Sequence, residues 1–439
     1  MPRNSLEQSL AATLERRRRS SKLRTLKSSS PDAIDFSSND FLSLSTTQEF
    51  RKDYLKELES HALPVGSTGS RLLDGNSQYA EDLERRIADF HRAETALLVG
   101  SGFDANVSIF TCLPQPGDIV VYDELIHASV HDGMKVSRAV SFLPFKHNCL
   151  VDFRSRLSSC RSGILGKNIF VAVETVYSMD GDLAPLVEML AIMKELFPQG
   201  NCHLIVDEAH STGIYGPKGK GRVSELGLEG DVLVRLHTFG KGLACNGAVI
   251  LSSHVIRSYL INYARPIIFT TFMSYPMLVA VKVAYDWLSD GKTESLSMRL
   301  FHLIRYMYSG LKRLEPLTQN LEPGSMLLPG RCPESAIFAL MMREPRELAG
   351  FCQANGFIVR PVVHPTVPQG TERVRICLHA GNTEAEIDAF VDKVQTWLKY
   401  KISLLSELSS QEGVRNTTSL TEVYSADIQQ DPAAILAKL

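Results

Sequence analysis

At 439 residues, 44% hydrophobic and 22% charged, the chain can bury a large core and is expected to divide into more than one lobe. A formal net charge of -2 and a pI near 6.6 argue against nucleic acid as a partner, because neutralising phosphates needs a positive surplus. The eight cysteines stand singly with no C-x-x-C pair, which signals neither a disulfide framework nor a zinc site and fits a reducing compartment. No run of about 18 apolar residues is present, and the start MPRNSLEQSLAATLERRRRSSK lacks the apolar stretch of a secretory signal. A soluble intracellular protein without a membrane span is therefore expected.

Residues 1–48 read as a basic amphipathic helix followed by an extended arm. Between 49 and 290 the short apolar runs ALLVGSG, DIVVYDE, IFVAVETV, HLIVDEA, VLVRLHTF and GAVILSS alternate with helical patterns. Strands too apolar to face water on either side predict a mostly parallel sheet covered by helices, an α/β large domain. Its functional side chains should gather at the carboxyl ends of the strands. Residues 291–408 predict a smaller α+β domain, with strands at SAIFALMM, FIVRPVV and RVRICLHA and a helix over TEAEIDAFVDKVQTWLKY. Residues 409–439 read as a flexible tail. It ends in Ala437-Lys438-Leu439, which resembles the S-K-L peroxisomal address. A peroxisomal import receptor is thus an expected partner and the peroxisome the expected location, with the cytoplasm as the alternative.

Chemistry concentrates in a few short stretches. In HLIVDEAHSTG an apolar strand ends at Asp207, with His210 three residues on. A buried carboxylate is costly unless a cation or strong donor meets it; a protonated pyridine nitrogen would do so, and capping of the next helix is the alternative. In LHTFGKGLACNGA, Lys241 follows another strand and stands between Gly240 and Gly242. The glycines let the backbone turn sharply and bring the amine to a ligand, and an apolar pocket would lower its pKa into the range of a Schiff-base nucleophile. Gly242 in place of Ser or Thr excludes a P-loop. Gly100-Ser101-Gly102-Phe103-Asp104-Ala105 fits G-x-G-x-x-A after a strand, with Asp123 and Glu124 about 20 residues on, as a dinucleotide site requires. The same loop at a helix N-terminus binds any phosphate. His127 and His131 are four apart and could ligate a metal, but no third ligand clusters with them; stacking on an aromatic cofactor is the better use for His127, and His131 reads as structural.

In order along the chain stand SSNDFLSL (37–44), GSTGSRLLDGN (66–76), DELIHASV (123–130), ETVYSMDGDLAPL (174–186), DEAHSTG (207–213), TFGKG (238–242), FTT (269–271) and PTVPQGTERVRI (365–376). Together they resemble the α-oxoamine synthases, fold-type I pyridoxal-phosphate transferases, over residues 35–400. The resemblance implies pyridoxal 5'-phosphate carried on Lys241, which later moves the substrate's α-proton, and Asp207 holding the proton of the ring nitrogen. It places His210 near the ring hydroxyl, His127 stacked on the ring, and Ser178 and Thr238 in polar contact with the cofactor. Ser101, Gly102 and Phe103 would form the phosphate-binding turn, and Thr271 would reach the phosphate from the partner subunit of a homodimer. Asn39 and Arg375 would lie near the substrate carboxylate. No metal is implied.

The reaction implied is decarboxylative condensation of an amino acid with an acyl-CoA. The nearest likeness is to members that join L-alanine to pimeloyl-CoA, giving 8-amino-7-oxononanoate for biotin synthesis. Rival readings are a glycine-using 2-amino-3-ketobutyrate CoA ligase, a synthase that offloads a secondary-metabolite acyl chain and, from a different class, a nicotinamide-dependent oxidoreductase using the Gly100 loop. The chain departs from the family pattern at Ala80, where a histidine is common, at Val363-His364 before Pro365-Thr366, and in NDFLSL for NDYLGL. These positions bear on acyl choice rather than on the cofactor. The run Arg16 to Arg19 reads as a solvated helix face, with an acyl carboxylate or coenzyme A phosphate as the other possible partner.

Overall fold

All six apolar runs of the large domain become strands of one seven-stranded sheet: β1 (Thr95–Val99), β2 (Ile119–Asp123), β4 (Ile169–Glu174), β5 (Cys202–Asp207), β6 (Val232–Thr238) and β7 (Ala248–Ser252), with β3 (Ser141–Phe145) added at one edge. The order is β1-β7-β6-β5-β4-β2-β3, parallel except for β7, which runs antiparallel to both neighbours. β3 escaped the sequence reading because its side chains are mostly part-exposed and it carries Pro144, a residue that sheets tolerate at an edge.

This computed structural model describes residues 4–20, 22–26, 28, 30, 32–161 and 167–412, with side chains to 407. The tail signal Ala437-Lys438-Leu439 lies outside the described residues. Two units are distinguished, one ending at Ile34 and the other beginning at Asp35. In the first, α1 (Ser5–Arg19) starts where the Asn4 side chain accepts the Glu7 N–H at 2.9 Å and ends on Arg16 to Arg19, a polarity that suits the helix dipole.

In the second unit the sheet alternates as its apolar sequence demands. Val171, Val173, Leu204 and Val206 pack on one face against α5 (Leu150–Ser159) and α6 (Leu186–Leu196). Phe170, Ala172, Ile205 and Leu236 pack on the other, against α3 (Gly102–Cys112) and α4 (Ala128–Lys135). Burying both faces explains why these strands read as unbroken apolar runs instead of alternating ones. Helices α3 and α4 cross at Gly133, where a Cβ would stand 3.0 Å from the Phe110 Cβ and 3.2 Å from the Asn106 carbonyl oxygen. That close approach brings Asn106 on α3 to Ser129 on α4, at 3.0 Å.

The Gly-rich segment 66–76 folds back on itself, since a Cβ on Gly75 would collide with the Gly69 carbonyl. Its Arg71 pairs with the buried Glu84 of α2 (Gln78–His91), which also accepts the Leu98 N–H at 2.7 Å and meets Arg257 at 2.7 Å. Ala80, at the family's histidine position, is wholly buried in the first turn of α2. A second, antiparallel sheet orders β10 (Arg360–Val362), β11 (Arg373–Cys377), β9 (Ile337–Met342) and β8 (Met326–Leu327). It accounts for the strand signals of the smaller domain, and the long helix read after them is α8 (Glu384–Glu412); α7 (Glu294–Lys312) was not anticipated.

Candidate active site

The site is built from the carboxyl ends of β4, β5 and β6. Asp207 closes β5 and is 8% exposed. One carboxylate oxygen accepts the Ala209 N–H at 2.9 Å, and the other accepts Asn106 Nδ2 from α3 at 2.8 Å. Two neutral donors fix its direction without neutralising its charge. The structural work foreseen as an alternative for Asp207 falls instead to the next residue. Glu208, fully buried, accepts the N–H groups of Arg222 and Val223 at 2.8 Å each and the Ser211 hydroxyl. One acid of the pair holds the loop, which leaves the other for a ligand.

Lys241 follows β6 in the turn between Gly240 and Gly242. A Cβ on Gly242 would lie 2.8 Å from the Thr212 carbonyl oxygen, so the turn sits directly on the segment carrying His210. Lys241 Nζ lies 2.9 Å from His210 Nε2. Burial pushes the Lys241 pKa down; the nearby carboxyl groups of Asp207 and Glu174 oppose that shift, and Arg375 adds to it. Burial likewise holds His210 well below the ordinary histidine range, reinforced by Lys241 and Arg375. A neutral His210 can accept from Lys241, and its buried Nδ1 has no hydrogen-bond partner among the described residues. An orphaned ring nitrogen beside an amine of depressed pKa is a place for a polar ligand.

Helix α3 begins just beyond the end of β1, capped by Ser101, whose hydroxyl accepts the Asp104 N–H at 3.0 Å. The first amides of a helix have no carbonyl of their own to meet, so those of Gly102 and Phe103 suit a phosphate. Gly102 is needed here, because its Cβ would stand 3.0 Å from Thr238 Cγ2 at the end of β6. The turn and Thr238 are thereby held together. His127 precedes α4, bonds Ser129 Oγ at 2.7 Å, is exposed, and meets the Phe103 ring edge-on at 6.5 Å. His131 instead packs edge-on against Tyr122 at 5.3 Å.

The acid that a dinucleotide would need is already committed. Asp123 is wholly buried and accepts from Leu125 N–H, Asn148 N–H and His147 Nδ1, all at 2.9 Å. His147 Nε2 meets Asp182 at 2.8 Å. Asp123 is buried inside this network and is not presented to a ribose, so Gly100 to Ala105 lacks the acid a dinucleotide site needs.

The second sheet contributes Arg375 from β11. Its Nε donates to the Ser178 carbonyl at 2.7 Å and its Nη2 to Asn39 Oδ1 at 2.9 Å. Nη1 has no hydrogen-bond partner among the described residues, so the fork retains donors for a carboxylate. Neighbouring Arg373 pairs with Asp180 on the same loop, which fixes Ser178 beside the site. Thr271 follows the short helix Arg265–Ile268 with an exposed side chain; among the described residues it is not hydrogen-bonded to the other site residues. His364 and Pro365 are exposed as well. Sequence reasoning missed Asn106, which orients Asp207, and Glu174, a buried acid beside it. Glu174 ends an apolar strand just as Asp207 does, which was the available signal.

A phosphate turn at one helix end, a buried carboxylate held for a cation, and a lysine of lowered pKa between them fit pyridoxal phosphate. The sheet and site define a fold-type I enzyme of that cofactor. The family described as aminotransferase class I and II matches residues 31–394. The 8-amino-7-oxononanoate synthase of Emericella nidulans is 47% identical over 406 residues, 90% of this chain and 96% of that protein. Aminoacyl transferase sphA of Aspergillus fumigatus is 42% identical over 374 residues, 82% of this chain and 80% of that one. Among solved structures, serine palmitoyltransferase of S. paucimobilis shares the fold with a TM-score of 0.77 at 24% identity, over 92% of this chain and 100% of that one. The 8-amino-7-oxononanoate synthase of Francisella tularensis has a TM-score of 0.67 at 25% identity, over 85% and 99%. The chain belongs to this aminotransferase family and, within it, to the α-oxoamine synthases, which are pyridoxal-phosphate-dependent acyltransferases.

The His147 bridge should show itself in stability. Burial alone would lower the His147 pKa, but hydrogen bonds to Asp123 and Asp182 outweigh it and raise the value from 6.5 to about 10. A raised folded-state pKa gives stability that is fully present below about pH 6.5 and is lost as pH climbs through about 10. His147→Gln should therefore lower the unfolding free energy by about 1–3 kcal/mol near neutral pH. Urea titrations of both proteins should show that gap closing above about pH 10; a gap independent of pH would mean that His147 is not cationic in the fold.

Proposed function

We propose that this synthase condenses L-alanine with pimeloyl-CoA, releasing coenzyme A and carbon dioxide and forming 8-amino-7-oxononanoate for biotin. The observation that carries this reading is the 47% identity over 406 residues to the Emericella nidulans protein of that name. The chemistry of the chain's own residues agrees with it. Arg375 and Asn39 grip the amino acid's carboxylate, which turns its α-carbon toward Lys241. Pyridoxal phosphate, when bound, supplies the electron sink that makes loss of the α-proton feasible. Lys241 Nζ, whose pKa burial lowers, takes that proton. The α-carbon then forms a bond to the thioester carbonyl while the C–S bond breaks and coenzyme A leaves. Loss of carbon dioxide breaks the bond to the carboxylate, and a proton returned to the α-carbon completes the amino ketone. Asp207 keeps the ring nitrogen protonated throughout.

A second reading follows from the 42% identity to aminoacyl transferase sphA: a synthase of the same chemistry that takes a different acyl chain. The departures at Ala80 and at Val363-His364 favour keeping it, because they alter the pattern without altering the cofactor residues. The homodimer, with Thr271 serving the partner's site, belongs to the same proposal, and so does import into peroxisomes through Ala437-Lys438-Leu439.

Purified enzyme should turn over L-alanine with pimeloyl-CoA at least about tenfold more efficiently than glycine or serine with the same thioester, a gap of roughly 1.4 kcal/mol in transition-state binding. It should also restore growth of a biotin auxotroph. Preference for a long-chain acyl-CoA, with no rescue, would move the assignment to the second reading. For location, removing residues 437–439 from a fluorescent fusion should disperse punctate signal into the cytoplasm; an unchanged distribution would refute import by this route.

A further inference from the structure

Glu174 ends β4 directly opposite Asp207 in the parallel register, so the two side chains leave the sheet on the same face of adjacent strands. Adjacent strands lie about 4.8 Å apart, which puts two carboxyl groups within mutual reach. Register is fixed just beyond them by the Thr175 N–H, which donates to the Asp207 carbonyl at 2.9 Å. Glu174 is 3% exposed, and its Oε1 finds no hydrogen-bond partner among the described residues.

The charges around it come from every neighbouring element. Asp207 faces it from β5 and Asp123 from β2; Lys241 faces it from the turn after β6, and the Tyr177 hydroxyl lies beside it. Asp123 is already compensated by His147, itself shared with Asp182. Lys241 bonds His210 and answers the charge of Asp207. A second ionised carboxylate would be buried with no cation of its own.

We propose that Glu174 and Asp207 act as a carboxylic acid and carboxylate pair bearing one negative charge, in which Glu174 is the neutral member and a positioning residue for Asp207. Burial, with the adjoining charge of Asp207, holds the Glu174 proton well above the ordinary carboxylate range, against the pull of Lys241. The arrangement has a use. An ionised Glu174 would raise the Lys241 pKa and favour an ammonium that can neither attack nor accept a proton. A neutral Glu174 presents the cofactor's ring nitrogen with a single anion and leaves Lys241 free to be an amine. This inference concerns the cofactor site and holds for whichever amino acid and thioester the enzyme takes.

Infrared spectroscopy of the holoenzyme with 13C-labelled glutamate side chains tests the protonation. A labelled neutral-acid carbonyl band should persist between about pH 6 and pH 9 and be missing from Glu174→Gln. Absence of that band in the parent protein overturns the proposal, and needs no variant to fold. The positioning role is read from the pH midpoint of the bound cofactor's visible band. Glu174→Gln, neutral for neutral, should leave it within about 0.3 unit, whereas Glu174→Leu should move it by about half a unit or more. A shift of a unit in the Gln variant, or none in a folded Leu variant, contradicts the pair.

Discussion

A buried negative charge at the end of β5 is the constraint around which the rest of the site is arranged. Asp207 is nearly inaccessible, yet its two hydrogen-bond donors, Asn106 and the Ala209 amide, are neutral. Neutral donors aim a carboxylate but do not repay the desolvation of its charge. Such a charge calls for a cation, and the cofactor's protonated ring nitrogen is the one we propose for it. Glu208 beside it shows the contrast: there, a serine hydroxyl and two backbone amides of the following loop occupy a carboxyl group whose task is structural.

Several parts of the fold exist to bring donors to that point. The crossing of α3 and α4 at Gly133 sets Asn106 against Ser129 and Asp207 together. Gly102 lets the start of α3 close on Thr238, so the phosphate turn and the end of β6 form one surface. Lys241 arrives on the next turn, with His210 taking its hydrogen bond. The second sheet reaches in through Arg375, which ties Ser178 to Asn39 and keeps part of its guanidinium for a substrate carboxylate. The candidate cofactor residues thus sit on one sheet, and Arg375 reaches them from the other.

The sequence revealed the parts whose signal is local. Lys241 between glycines, Asp207 closing an apolar run and His210 three residues later are short-range patterns, and each apolar run of the large domain became a strand. What it hid depends on distance or on an edge. Asn106 meets Asp207 across 101 positions, which no spacing rule foretells. Asp123 looked like a ribose ligand until His147, 24 residues on, turned out to hold it. β3 was missed because an edge strand with Pro144 loses the apolar continuity that marked its neighbours. Glu174 stood in plain view within ETVYSMDGDLAPL, but its meaning needed the register that sets it opposite Asp207.

The chemistry depends most on the amine that would carry the cofactor. Reduction of the holoenzyme with borohydride, followed by peptide mass mapping, should bleach the visible band and place the mass of the reduced cofactor on Lys241 alone. Label on another lysine, or a protein that takes up no pyridoxal phosphate, would contradict it.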